Sequence, residues 1–176
     1  MPIDFTVIQP VRQQFGDRNR VTAFETKVEL EAPFVGIAKD FPFSCPNVDP
    51  SQMAVLQFES LGVTAGGRTN DRDRNILQIN GVSIPGGITP GPAIASIQIG
   101  SVPAPITIPA WKSHSLVVDA NVLRENNVLH IESVIIHLGN EESRDTFIID
   151  NIVVFFKARV SGGVVSQPTA TASRST

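Results

Sequence analysis

The chain has no tyrosine, one tryptophan (Trp111) and one cysteine (Cys45) among 176 residues. A single cysteine excludes an internal disulfide, the pattern of a reducing compartment or of a fold large enough to hold without covalent cross-links. No apolar run approaches the roughly 18 to 20 residues that span a bilayer, so no membrane insertion is expected. The opening MPIDFTVIQPVRQQF lacks both a basic start and a long apolar stretch, which predicts no secretory leader and leaves localisation open. Charge of one sign is also scarce. A net charge of −3 offers neither a basic face for nucleic acid nor a polyacidic tail.

Spacings that carry chemistry are equally sparse. His114, His130 and His137 form no His-x-His or His-Glu-x-x-His pattern, and a lone cysteine makes no Cys-x-x-Cys, so zinc is not expected. There is no G-x-S-x-G elbow. The glycine-rich GGITPGP lacks the Lys-Ser/Thr of a phosphate loop. Glu59, Asp119 and Glu132 have no counterpart in sequence that would set up the facing carboxylates of a glycosidase. Cys45, in FSCPN, reads as a small buried filler and not as an activated thiolate. The chain is therefore read as a non-enzyme that requires no cofactor, calcium being the one candidate.

What is present is a period of two. Thirteen glycines and thirteen prolines punctuate short stretches in which apolar and polar residues alternate. VTAFETKVELE puts Phe24, Val28 and Leu30 on one face, and MAVLQFESLGV puts Ala54, Leu56 and Phe58 on one face. Asn80-Gly81 lies between two apolar alternations in NILQINGVSIP and predicts a tight hairpin turn, because both residues tolerate positive φ. NVLHIESVIIHLG reads as one long strand and TFIIDNIVVFFKARV as the closing strand. Asp119 in DANVLREN predicts a single capped turn. Many short strands with turn signals between them predict an all-β fold, an antiparallel β-sandwich over residues 1–160. The Ser/Thr/Ala-rich residues 161–176 read as a flexible tail.

The order of these pieces resembles the galactose-binding-like jelly-roll superfamily. The resemblance covers about residues 50–157 and rests on two elements. One is Leu123, Asn126, Asn127, Val128, Leu129 and Ile131. The other is Phe147, Ile149, Asp150, Asn151 and Ile152 in the last strand. It implies an architecture shared by sugar-binding modules, adhesins and structural accessory domains. The sugar-binding members usually present several exposed Trp or Tyr; this chain has Trp111 alone.

Three groups of residues are candidate sites. Trp111 is either a core or lid residue or an exposed platform for a ligand. The loop GGRTNDRDRN, with Arg68, Asp71, Arg72 and Asp73, is a polar tip suited to a partner; its arginines oppose a cation. Asp150 and Asn151 interrupt an apolar strand. Asp150 is expected to accept backbone N–H bonds or to pair with an arginine, with Asn151 tying down a turn. The alternative is a structural calcium held by Asp150 with Asp145. Asn80 and Gly81 are structural. The functional expectation is a non-catalytic module that recognises a glycan or protein partner through loops at one end, around 85–92 and 68–75. The alternative is a subunit or decoration protein of a larger assembly, with a possible homo-oligomer.

Overall fold

The computed structural model describes residues 2–17, 32–65, 74–91, 93–97, 106–138 and 141–159. The expected strand around Phe24–Leu30, the loop residues Arg68, Asp71, Arg72 and Asp73, and the tail 161–176 lie outside the described residues. In chain order the strands are β1 (Ile3–Gln9), β2 (Gln13–Phe15), β3 (Phe34–Gly36), β4 (Ala38–Ser44), β5 (Ala54–Leu61), β6 (Ile76–Ile79), β7 (Val82–Ser83), β8 (Ala93–Ile97), β9 (Ile106–Pro109), β10 (Lys112–Val118), β11 (Asn126–Glu132), β12 (Ile135–Leu138), β13 (Glu141–Arg144) and β14 (Phe147–Lys157). Among the described residues there is no helix, and none long and apolar enough to cross a membrane.

Two sheets pack face to face as an all-β sandwich. The larger runs β10-β5-β14-β2-β3, with β1 on the second half of β14, and the smaller runs β4-β11-β6-β7. Pairing is antiparallel except for the short β2–β3 contact. The alternation in β5 turns Ala54, Leu56 and Phe58 inward against Leu77, Ile79, Leu129 and Ile131 of the facing sheet. Phe15 stacks on Phe147 at 5.3 Å and tilts against Phe41 at 6.4 Å, which closes one end of the core. Each such fully buried side chain contributes about 1.5–3 kcal/mol through removal from water. Pro42 is accommodated because β4 is an edge strand, where a missing N–H costs no ladder bond.

Local chemistry fixes the turns. Asn80 and Gly81 have φ of 53° and 80°, and Gln78 and Ile79 pair with Ser83 and Val82 across them, so the two-residue hairpin forms as expected. The Asn80 side chain then bonds outward, donating to the Val122 carbonyl and Asn127 Oδ1 and accepting from the Val128 N–H. Asp119 begins a turn and no helix: the Val122 N–H reaches only the Asp119 carbonyl. The long strand expected over 127–139 is broken at Ser133-Val134. There the Ser133 N–H donates to the Ile37 carbonyl, and Val134 exchanges bonds with Asn75 Oδ1 and the Asp145 N–H in place of a strand neighbour.

Asp150 and Asn151 mark a β-bulge. Asp150 pairs with Glu59 and Val153 with Gln57, so three steps on β14 oppose two on β5. Asn151 takes the extra position with φ of 53°, a left-handed conformation that asparagine tolerates better than most residues. The bulge shifts the inward phase by one residue. Phe147 and Ile149 face the core before it, and Ile152, Val154 and Phe156 after it. Asn151→Gly is expected to change stability by less than about 0.5 kcal/mol, whereas Asn151→Val is expected to cost about 2 kcal/mol, because a β-branched residue is strained at positive φ. Urea unfolding of the two variants measures the difference.

Candidate functional site on the outer face of the larger sheet

The side of the larger sheet turned away from the core is apolar where a solvated sheet face would be polar. At one level across the strands stand Phe5, Phe155, Val55 and Val117, mutually paired in that order. The next level holds Val7, Val153, Gln57 and Ser115. On the other side Ile3 pairs with Lys157, and exposed Met53 stands just before β5. Ile3 is 66% exposed and Phe5 59%, and the Phe5 and Phe155 rings lie 6.1 Å apart. Strand β1 is inverted relative to its own pattern. Its apolar Ile3, Phe5 and Val7 face out, while Asp4 and Thr6 lie on the core side, because β14 imposes the register.

A polar cluster closes one end of this strip. Arg12 Nε donates to Asp150 Oδ2 at 2.9 Å, and the same guanidinium lies 5.2 Å from the centroid of the Trp111 ring. Asp150 Oδ1 accepts the Asn151 N–H, and Asn151 Nδ2 donates to Glu59 Oε2 at 3.2 Å. The structure thus gathers Trp111, Asp150 and Asn151 at one rim. Trp111 is partly exposed, with the Arg12 guanidinium over its ring as a cation–π contact. A sugar ring stacking on that face would have to displace the guanidinium.

Asp145 lies apart, fully buried at the end of the sandwich. Its carboxylate accepts the N–H groups of Thr64 and Ala65 and the amide of Asn75, the last at 2.6 Å. It thereby ties down the residues on both sides of segment 66–73. Burial pushes its carboxyl above the ordinary value, against the pull of these donors. Ser133 Oγ donates to its carbonyl. A Cβ at Gly16, whose φ is +113°, would lie 2.5 Å from that carbonyl oxygen, so only glycine fits beside it. Asp145 and Asp150 therefore each serve a different set of N–H donors and share no partner. A cation at Asp145 would have to displace three donor groups, and no cluster of three or more His, Cys, Asp or Glu able to hold a metal occurs among the described residues.

The arrangement with most resemblance to catalytic machinery is Ser60 and His114, whose Oγ and Nε2 lie 2.8 Å apart. Both are buried, and the imidazole stacks on Phe58 at 4.4 Å. Desolvation, with Lys112 nearby, lowers the His114 pKa to about 4. The pair forms a buried, mutually satisfied polar contact. Cys45 is likewise fully buried, and burial pushes its thiol up to about 11. The loop after β7 turns Ile84 and Ile88 into the core, and Lys112 holds it through Thr89 Oγ1 and the Pro90 carbonyl.

The smaller sheet presents the opposite character. Its outer face carries Asp40, His130 and Glu132, and His130 Nδ1 bonds to Asp40 Oδ1 at 2.6 Å, which raises the imidazole pKa. The outer face of the smaller sheet thus carries charged side chains beside exposed Val128, whereas the strip between Lys157 and Glu59 on the larger sheet carries none among its described residues. Comparison of the chain with known protein families, with curated proteins and with solved structures finds no match in any of the three. The apolar outer face was not anticipated from sequence. Its signal was the I-D-F-T-V alternation of β1, which says that Ile3, Phe5 and Val7 share a face but not which way that face points.

Proposed function

We propose that this chain is a non-catalytic structural module of galactose-binding-like jelly-roll type, which assembles with protein through the outer face of its larger sheet. The single observation that carries this reading is the strip Ile3, Phe5, Val7, Met53 and Val117, exposed around half-buried Val55, Val153 and Phe155. A contiguous apolar patch rimmed by polar groups is costly to leave in water and marks an interaction surface. A flat apolar strip of aliphatic side chains around Phe5 and Phe155 suits protein side chains. A pyranose is recognised instead by stacking aromatics with polar groups converging on its hydroxyls, and Trp111 is engaged by Arg12. The jelly-roll assignment rests on the sequence resemblance of 50–157 together with the two-sheet architecture.

The experiment is native sizing of the protein in extract of the cells that make it, against Phe5→Glu/Val117→Glu. Both side chains project from the sheet, so the variant should keep its circular-dichroism spectrum. The wild type is expected to migrate well above its 18.9 kDa mass and the variant to return to it. Equal migration of the two would refute the reading.

A further inference from the structure

Resting on that reading, we infer that the partner seated on this face is a second copy of the same chain, stacked on it with its strands reversed. The inference comes from the charge at the two ends of the strip. Lys157, level with Ile3, stands at one end and makes no ion pair among the described residues. At the other end Glu59 stands beside Asp150, and only Asp150 is matched by an arginine. Between them the described residues of the strip are uncharged: Phe5, Val7, Val55, Gln57, Ser115, Val117, Val153 and Phe155. A two-fold axis lying between two such sheets, across the strands, turns the second copy end for end. The Phe5, Phe155, Val55 and Val117 level of each copy then falls on the Val7, Val153, Gln57 and Ser115 level of the other, and each Lys157 comes over the other copy's Asp150 and Glu59 end. The parallel alternative sets Lys157 against Lys157. Isologous contacts need this kind of self-complementarity, and sheets stacked face to face with strands nearly aligned are a stable geometry.

The strip spans four strands and about six residues, roughly 20 Å by 20 Å in plan. That lies below the about 800 Å² per partner of a standard interface, so the dimer should be of modest, micromolar affinity. Edge-to-edge addition on β1 is the less favourable route, because the Asp4 carboxylate already occupies the Phe5 N–H at 2.8 Å.

The test is sedimentation and light scattering of the purified full chain from about 1 to 300 µM, a range set by the modest interface. Mass should rise from 18.9 kDa towards twice that value. Lys157→Glu and Glu59→Lys should each weaken association by about 10-fold, and the two together should restore most of it. Phe5→Glu should be monomeric while keeping its spectrum. A wild type that stays monomeric throughout, association that survives Phe5→Glu, or single charge reversals that the double variant does not rescue would each overturn the second-copy proposal. A purified monomer that is nonetheless large in extract would leave protein docking standing with a different partner.

Discussion

Asp145→Ala is expected to destabilise the protein by about 4 kcal/mol, because it strands three buried or partly buried donors at once. The N–H groups of Thr64 and Ala65 and the Asn75 amide would lose their acceptor, and Ala65 and Asn75 are buried. For a chain of this size the midpoint of thermal unfolding should drop by on the order of 10 °C. Asp145→Asn keeps one acceptor oxygen but turns an NH2 towards a donor, so its loss should fall between wild type and alanine. The sign of the pH dependence follows from the raised carboxyl. Its contribution is fully present below the unfolded value and is lost as pH rises through the folded one, so the alanine penalty should be larger in mild acid than at neutrality. Calorimetry of the three proteins at two pH values measures both effects.

The second large effect is a loss of stability in mild acid that originates at His114. The unfolded imidazole takes up a proton near 6.5, whereas the folded one resists until about 4 because it is buried against Phe58. Between those values the unfolded state binds one more proton than the native state. Stability is therefore present above the unfolded value and falls as pH drops through this window, by about 3 kcal/mol across its whole width. His130 acts in the opposite direction, since Asp40 raises its pKa and its contribution grows as pH falls. His114→Gln keeps a partner for Ser60 without a titrating ring, so it should remove most of the acid-side slope, while His130→Gln should steepen it. Urea unfolding at closely spaced pH values between 4 and 7 reads both slopes.

Much of the fold was legible because it is written locally. Alternation in Ala54–Leu61 names its own inward face, and Asn80-Gly81 demands the one hairpin turn that uses two positive φ angles. The closing strand was legible as a strand, but its bulge was not. A period-two pattern that changes phase at Asn151 looks, in one dimension, like a strand apolar on both sides. Asp145 was illegible for a different reason. Its partners Thr64, Ala65 and Asn75 are 70 to 81 residues away, and nothing local distinguishes a carboxylate that gathers N–H groups from one that binds calcium. The outer face was hidden because alternation groups side chains without assigning the group to core or solvent. Only the register of β1 on β14 made that choice.

That register choice connects fold to function. β14 is central in its sheet and must give Ile152, Val154 and Phe156 to the core, so Val153 and Phe155 stand on the far side. Their neighbours on β1 and β5 are Phe5, Val7 and Val55, with Gln57 the polar exception, and β10 extends the strip with Val117. The facing sheet, built under the same constraints, carries Asp40, His130 and Glu132 on its outer side.

The measurement that tests this account most directly is a comparison of two photocrosslinking side chains, one at Val117 on the apolar face and one at Val128 on the outer face of the smaller sheet, in the protein as its cells make it. Both positions are exposed edge or surface valines, so they differ in the face they report and little else. Strong crosslinks to polypeptide from position 117 with few from position 128 are the predicted result. Equal yields from the two faces, or crosslinks concentrated at 128, would contradict it.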